Sequence, residues 1–326
     1  LFIVAAFVCA MIVVGGATRL TDSGLSITEW RPLSGALPPL GAAAWDEAFL
    51  LYQATTEYQT QNFGMTMDEF RSIFWWEWGH RQLGRLIGLV YGVPLLVFWL
   101  RGSISAHLKP RLLALLVLGG LQGVIGWWMV ASGLTDRVDV SQYRLATHLG
   151  MAFVILGMSI WYGLEARFGA APVRVGRLTG WALGLWGLIF VQIILGAFVA
   201  GLDAGRIYNT WPLMNGAVIP EDYLGGLGLP AAFFESHAAV QMNHRWLGYV
   251  VALAVGCLSI MIWREPRVAL KPFMIILPAL VIGQIALGIA TLLAVVPLGL
   301  SLAHQAGAIL LFITVGIAAW TARRAI

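Results

Sequence analysis

EWGHRQLGRLIG (77–88) and QMNHRWLGYVVA (241–252) decide the reading of this chain. Each sets a histidine and an arginine at the head of an apolar run. RLATHLGMAF (144–153) and SLAHQAGAIL (301–310) open two further runs with a histidine. His244 follows His80 by 164 residues, and His304 follows His148 by 156. Such offsets read as one four-helix unit written twice. Each unit brings two imidazoles to the same membrane face, and two facing imidazoles can serve as the axial ligands of a haem iron. Two porphyrin-sized sites are expected, with iron held by His80 and His148 in one and by His244 and His304 in the other.

The composition supports a membrane protein independently. Apolar residues make up 59% of the 326 residues and charged residues 11%, with a mean hydropathy of +0.81. A soluble domain has no use for that much apolar surface, because a core is limited by volume and lipid contact is not. Eight stretches approach the roughly 20 residues that cross ~30 Å of hydrocarbon. They lie near 1–18, 80–100, 111–131, 144–164, 178–200, 244–263, 272–294 and 300–320. The expected fold is an all-α integral membrane protein of eight spans, arranged as two parallel-repeat four-helix bundles. The bundles are expected over 1–165 and 178–326, with an inner linker at 166–177. Pro94 and Pro278 mark kinks within two spans. The sequence opens at Leu1 rather than at methionine, so residues before it are expected.

Lysines and arginines set the orientation. The connections after spans two, four and six carry Arg101, Lys109 and Arg111, then Arg167, Arg174 and Arg177, then Arg264, Arg267 and Lys271. Arg323 and Arg324 close the chain. Short basic loops stay on the cytoplasmic or matrix side. Both termini are therefore expected inside, in a bacterial inner (plasma) membrane or a mitochondrial inner membrane. The net charge of +4 then describes topology, and no nucleic-acid partner is expected. All four repeat-related histidines fall near the outer ends of their spans. His107 and His237 do not fit that pattern and read as solvated loop residues. Cys9 and Cys257 fall inside spans and read as small apolar residues, not as a disulfide or thiolate pair.

The halves align further. GGATRLTDSG (15–24) closes span one and GAFVAGLDAG (196–205) closes span five. Gln122 precedes Gly126 by four residues, as Gln284 precedes Gly288 and Gln192 precedes Gly196. Gly84 and Gly248 lie one turn after His80 and His244, where a missing side chain leaves room for a porphyrin edge. Arg81, Arg85 and Arg245 stand beside the ligands, where a cation can pair with a haem propionate, although interfacial arginines also snorkel to headgroups. One difference separates the halves. Glu77 precedes His80 by three residues, whereas Gln241 holds that place before His244. A carboxylate near a membrane costs free energy to desolvate, so a functional role is the default reading, with an ion pair to Arg81 or Arg85 as the structural alternative. This asymmetry points to chemistry in the N-terminal half and electron storage in the C-terminal half.

Taken together, GGATRLTDSGLSITEWRPLSGALPP (15–39), IFWWEWGHRQLGRLIG (73–88), NTWPLMNG (209–216), MNHRWLGY (242–249) and LAHQAGA (302–308) resemble the haem A synthase family, in the branch of alphaproteobacteria and mitochondria. Another bacterial branch carries cysteine pairs in its outer loops, and this chain has none there. The resemblance implies an oxidoreductase that converts the C8 methyl of haem O to a formyl group through a hydroxymethyl intermediate. It implies haem B as cofactor on His244 and His304, haem O as substrate at His80 and His148, and Glu77 as a residue needed for activity. It also implies supply from haem O synthase, cytochrome oxidase assembly factors as partners, an unidentified electron-transfer partner, and a homo-oligomer as one assembly state.

Two other classes compete. A diheme bis-His electron-transfer protein, cytochrome b-like and quinol-linked, would also place four histidines in a bundle, but it would set its haems near opposite faces. A repeat transporter would favour broken helices and charges at mid-membrane, neither of which is evident.

Overall fold

The computed structural model describes residues 1–134, 137–169 and 176–324. Among the described residues the regular elements are helices, with one isolated bridge between Met214 and Ala217. In chain order the helices are α1 (Phe2–Leu20), α2 (Ala42–Gln53), α3 (Thr56–Thr60), α4 (Met67–Leu100), α5 (Lys109–Val130), α6 (Gln142–Phe168), α7 (Arg177–Gly201), α8 (Leu229–Glu235), α9 (His237–Trp263), α10 (Phe273–Leu293) and α11 (Leu298–Arg323). Among the described residues, eight are long and apolar enough to cross a membrane: α1, α4, α5, α6, α7, α9, α10 and α11. Arg174 lies outside the described residues.

Two spans begin earlier than hydropathy indicates. α4 starts at Met67, not at His80. Its first turn is fixed by a capping box, in which Glu69 N–H donates to Thr66 Oγ1 and Thr66 N–H donates to Glu69 Oε2 at 2.8 Å. Such a cap is worth about 1 kcal/mol. The added turns carry Asp68, Glu69, Arg71 and Glu77, which dilute the apolar average and hide the helix from it. α9 similarly starts at His237, capped by Ser236 accepting from Ala239 N–H. His80 and His244 therefore sit inside helices and do not open them. His237 is the first residue of α9 and is exposed, and His107 is exposed in the α4–α5 connection. Pro94 and Pro278 both lie within helices.

The chain divides into two compact units, one of 3–155 and one of 156–326 with the first two residues. The division falls within α6, upstream of 166–177, and 170–175 of that stretch lie outside the described residues. In the C-terminal unit α7 packs on α9 and α11, and α10 packs on the same two, closing a ring of four. Val251, Val255, Leu258 and Ile262 of α9 face inward at helical spacing, as do Phe312, Val315 and Ala319 of α11. Basic side chains finish the helices at one end. Lys271 Nζ donates to the carbonyls of Ile262 and Trp263 at 3.1 and 2.8 Å, and Arg267 donates to those of Ala322 and Arg324. A cation at a helix C-terminus meets unpaired carbonyls and the negative end of the dipole. His304 stands eighteen residues before Ala322 on α11, about 27 Å away at 1.5 Å per residue. Basic connections and histidines thus occupy opposite ends of this unit.

In the N-terminal unit, α4 and α5 turn Leu86, Leu89, Val93, Leu96, Leu113, Leu116 and Val117 outward, an apolar surface that suits lipid. The long first connection is not plain loop. α2, α3 and the start of α4 enclose Tyr52, Tyr58, Phe70 and Phe74, with Trp45 and Phe49 against them. Rings stack at 5.0 Å for Phe49 with Phe70 and meet edge-on at 4.9 Å for Trp45 with Phe74, contacts worth about 0.5–1.5 kcal/mol each.

Glu57 is enclosed by this cluster and only 3% exposed, with Oε2 lacking a partner. Burial pushes its carboxyl up to about 8, and the charges of Asp22, Asp139 and Glu77 add to that shift while a hydrogen bond with Tyr52 opposes it. The unfolded chain releases this proton near 4.5, so between those values the folded state holds a proton that the unfolded state does not. The stabilisation is complete below the lower value and is lost as pH rises through the upper one. Hydrogen exchange over residues 42–70, corrected for intrinsic rates, is expected to quicken as pH climbs from about 5 to 8. Glu57→Gln should flatten that dependence, and an unchanged slope in the variant would exclude Glu57 as its source.

Candidate functional site

Each of the four histidines lies against a glycine of a neighbouring helix. A Cβ on Gly15 of α1 would stand 2.7 Å from Cε1 of His80, and one on Gly126 of α5 would stand 2.9 Å from Cε1 of His148. Gly196 of α7 and Gly288 of α10 bear the same relation to His244 and His304, at 3.0 and 2.9 Å. Any side chain at these four positions would displace a ring. In all four, Cε1 is nearest the glycine, Nδ1 next and Nε2 farthest. Nδ1 of His80, His148 and His304 is buried without a partner. The glycine edge of each ring is thus closed, and Nε2 is the nitrogen left for coordination.

Glutamines tie the backbone of three of the four histidines to a neighbouring helix. Nε2 of Gln122, Gln192 and Gln284 donates to the backbone carbonyl of His148, His244 and His304 at 3.0, 2.9 and 2.8 Å. Gln192 Nε2 also lies 3.2 Å from Nδ1 of His244. These bonds tie α5 to α6, α7 to α9 and α10 to α11. In a bilayer an interhelical hydrogen bond is worth about 0.6–1.7 kcal/mol. The space beside Gly84 and Gly248 is taken by neighbouring side chains, Met11 at 3.2 Å and Gln192 at 3.5 Å. The expectation of a porphyrin edge at those glycines is thereby replaced by helix contact.

The C-terminal pair permits a test of fit. The ring centroids of His244 and His304 are 6.4 Å apart, with planes at 80°. Two metal–imidazole bonds of about 2.0 Å, plus about 1.1 Å from nitrogen to centroid on each side, require about 6.2 Å. The separation matches a single six-coordinate iron between the rings. Among the described residues no group of three or more His, Cys, Asp or Glu could hold a metal ion, so imidazole pairs are the donor sets on offer. His80 and His148 lie together in the N-terminal unit.

Glu77 is 3% exposed and fully engaged. Its Oε1 accepts from Arg81 Nη2 at 2.6 Å and from Nε at 3.1 Å. Its Oε2 accepts from Ser26 Oγ at 2.8 Å and from the backbone N–H of Ile27 at 2.7 Å. Arg81, not Arg85, is its ion-pair partner. Arg81 also donates to the carbonyls of Ile27 and Glu29, while Arg85 donates to those of Arg31 and Pro32 and to Gln82. Gln241 and Arg245 form the matching pair in the other unit with opposite polarity. Gln241 Nε2 donates to the carbonyls of Ala204 and Ile207 at 2.8 and 2.5 Å, and its Oε1 accepts from Arg245 at 2.9 Å. Arg245 donates further to the carbonyls of Tyr208 and Thr210, and its buried Nε has no partner. Each pair therefore clamps the connection that follows α1 or α7. The carboxylate receives that connection's donors, and the amide meets its acceptors. Ser26 and the Ile27 N–H were not visible as site residues in the sequence, because a backbone donor has no side-chain signature.

By architecture this is a polytopic helical membrane protein with paired, half-buried, glycine-seated histidines. The chain belongs to the COX15-CtaA family, described as cytochrome oxidase assembly protein, whose model matches residues 1–315. It is 74% identical over 326 residues to "Heme A synthase" of Maricaulis maris, covering 100% of this chain and 96% of that one. It is 50% identical over 327 residues to "Heme A synthase" of Caulobacter vibrioides, covering 99% and 95%. The "Heme A synthase" of Parvibaculum lavamentivorans is 50% identical over 321 residues, covering 98% and 92%.

Proposed function

We propose that this chain converts haem O to haem A, oxidising the C8 methyl to a formyl group through a hydroxymethyl stage. The family and full-length likeness to haem A synthases carry the activity. The observation that carries the site is the 6.4 Å separation of His244 and His304, which suits a resident bis-imidazole haem B. When bound, haem B supplies one-electron redox capacity. His80 and His148 present a second pair of ring nitrogens to the substrate haem. In this reading 1–165 is the substrate half and 178–326 the haem B half, two parallel four-helix bundles joined through 166–177.

Four electrons leave the methyl carbon overall, so charge develops beside the N-terminal pair. Glu77, one turn before His80, places a carboxylate there, ion-paired with Arg81. Both its oxygens already accept two hydrogen bonds each, which fixes the carboxylate in place for an electrostatic role. Arg245 keeps one buried donor free and is the best placed of the three arginines for a propionate; Arg81 and Arg85 divide their donors between the first connection and side chains of α4. The gathering of basic residues opposite the histidines in the C-terminal unit supports both termini inside, with the haem sites toward the outer face. Haem O synthase, oxidase assembly factors, an electron-transfer partner and a second copy of the chain are the partners this role calls for.

Acid–acetone extraction of pigment from the purified protein, followed by mass analysis, tests the assignment. Haem B together with haem O, its hydroxymethyl form or haem A is expected. Haem B alone in both sites would favour the diheme electron-transfer reading.

A further inference from the structure

The two histidine pairs are not held alike. Gln122, Gln192 and Gln284 each donate to the carbonyl of the histidine that the glycine four residues on seats. On α1 the seating glycine is Gly15, and the residue four before it is Met11. The exchange is one of place as well as of sequence. Gly84 and Gly248 follow their histidines by four residues, and Met11 Cε faces the first as Gln192 Nε2 faces the second. A thioether has no N–H to donate. Among the described residues no side chain donates to the carbonyl of His80, whereas the carbonyls of His148, His244 and His304 each accept one amide.

We propose that Met11 makes His80 the exchangeable axial ligand of the substrate site, so that haem O enters and product leaves by parting of α1 from α4 while Gln122 keeps His148 in place. This rests on the reading of His80 and His148 as substrate-haem ligands. A substrate haem must be released at every turnover, whereas a cofactor haem must stay. The glutamine amides hold the backbone of the ligand, and Gln192 also its ring nitrogen; loss of a group that supports a metal ligand typically changes affinity by about 10–100-fold. The C-terminal pair has two such groups and the N-terminal pair has one. Methionine, unbranched and flexible, also lets the α1–α4 contact open and re-form without a polar group left unpaired.

The test uses the full chain in nanodiscs, purified from membranes that make haem O. Two rates are measured: passage of haem O and haem A to excess apomyoglobin, and passage of haem B. Met11→Gln should slow release of the substrate-site haem about 10-fold or more and raise haem O plus haem A retained per haem B. Met11→Leu, which matches size without a donor, should release at the parent rate. Gln284→Met should hasten loss of haem B by a factor comparable to that slowing. Rates within about twofold of the parent for both Met11→Gln and Gln284→Met would overturn the proposal, since second-group effects of the expected size are far larger. If Met11→Gln fails to accumulate with its haem B, Gln122→Met takes its place: release should quicken, and an unchanged rate would overturn the proposal. Absence of any haem O or haem A from the parent protein, with haem B at both pairs, would instead reject the substrate-site reading, and the Gln284→Met rate would still decide whether the amide matters.

Discussion

His244→Ala and His304→Ala are each expected to strip the purified protein of most of its low-spin haem B, while His80→Ala and His148→Ala leave that absorbance in place. A bis-imidazole iron is low-spin because both axial positions carry nitrogen. Truncating either ring leaves one ligand and an open position where two rings stood 6.4 Å apart. Occupancy should fall about 10-fold or more, as for loss of a direct metal ligand or its immediate support. Reduced-minus-oxidised spectra and a pyridine haemochrome assay measure it. Because each ring packs on a glycine, an alanine leaves a void but forces no clash, so the four-helix ring of α7, α9, α10 and α11 should survive. Retention of haem B in both C-terminal variants, with its loss in His80→Ala, would exchange the roles of the two halves.

The spans, the four histidines and the Gln-x-x-x-Gly pairs were legible because each is a repeated pattern in residue type. Apolar runs of span length have one economical solution in a bilayer, the helix. The glycine seats could be located but not interpreted, since a glycine in a membrane helix also marks close helix packing in general. Three features stayed hidden for distinct reasons. The early start of α4 is masked by its own charges, although Thr66 and Glu69 carry a capping signal. The short α2 and α3 depend on the aromatic cluster that they enclose, which is a tertiary effect. The clamp made by Glu77 involves a backbone N–H fifty residues away, which no local pattern encodes. The Glu77 and Gln241 difference was visible, but its meaning was incomplete. It also reports whether the clamped connection offers donors or acceptors. Gln241→Glu would set a carboxylate against the carbonyls of Ala204 and Ile207, so that change should destabilise the C-terminal unit and is not a neutral control.

Glu77→Gln is expected to lower turnover by about 10²-fold or more, as loss of a group that stabilises charge at a reacting centre does. Haem O or its hydroxymethyl form should accumulate in the membrane, with haem B retained at the C-terminal pair. The substitution also has a structural cost that must be separated from chemistry. An amide at 77 can still accept from Arg81, and the Ser26 hydroxyl can turn to accept from it. The Ile27 N–H cannot turn, and leaving it unmet costs about 1–3 kcal/mol. Loosening of the connection around Ser23–Arg31 should therefore appear as faster hydrogen exchange there. Ser26→Ala provides the separation. It removes one bond to the same Oε2, loosens the same segment and leaves the carboxylate charge intact. If charge beside His80 is what the reaction needs, Ser26→Ala should keep turnover within about tenfold of the parent, well above Glu77→Gln. Equal losses in the two variants would make Glu77 a clamp for the loop and nothing more. Normal haem A production by a folded Glu77→Gln protein would end the catalytic assignment outright.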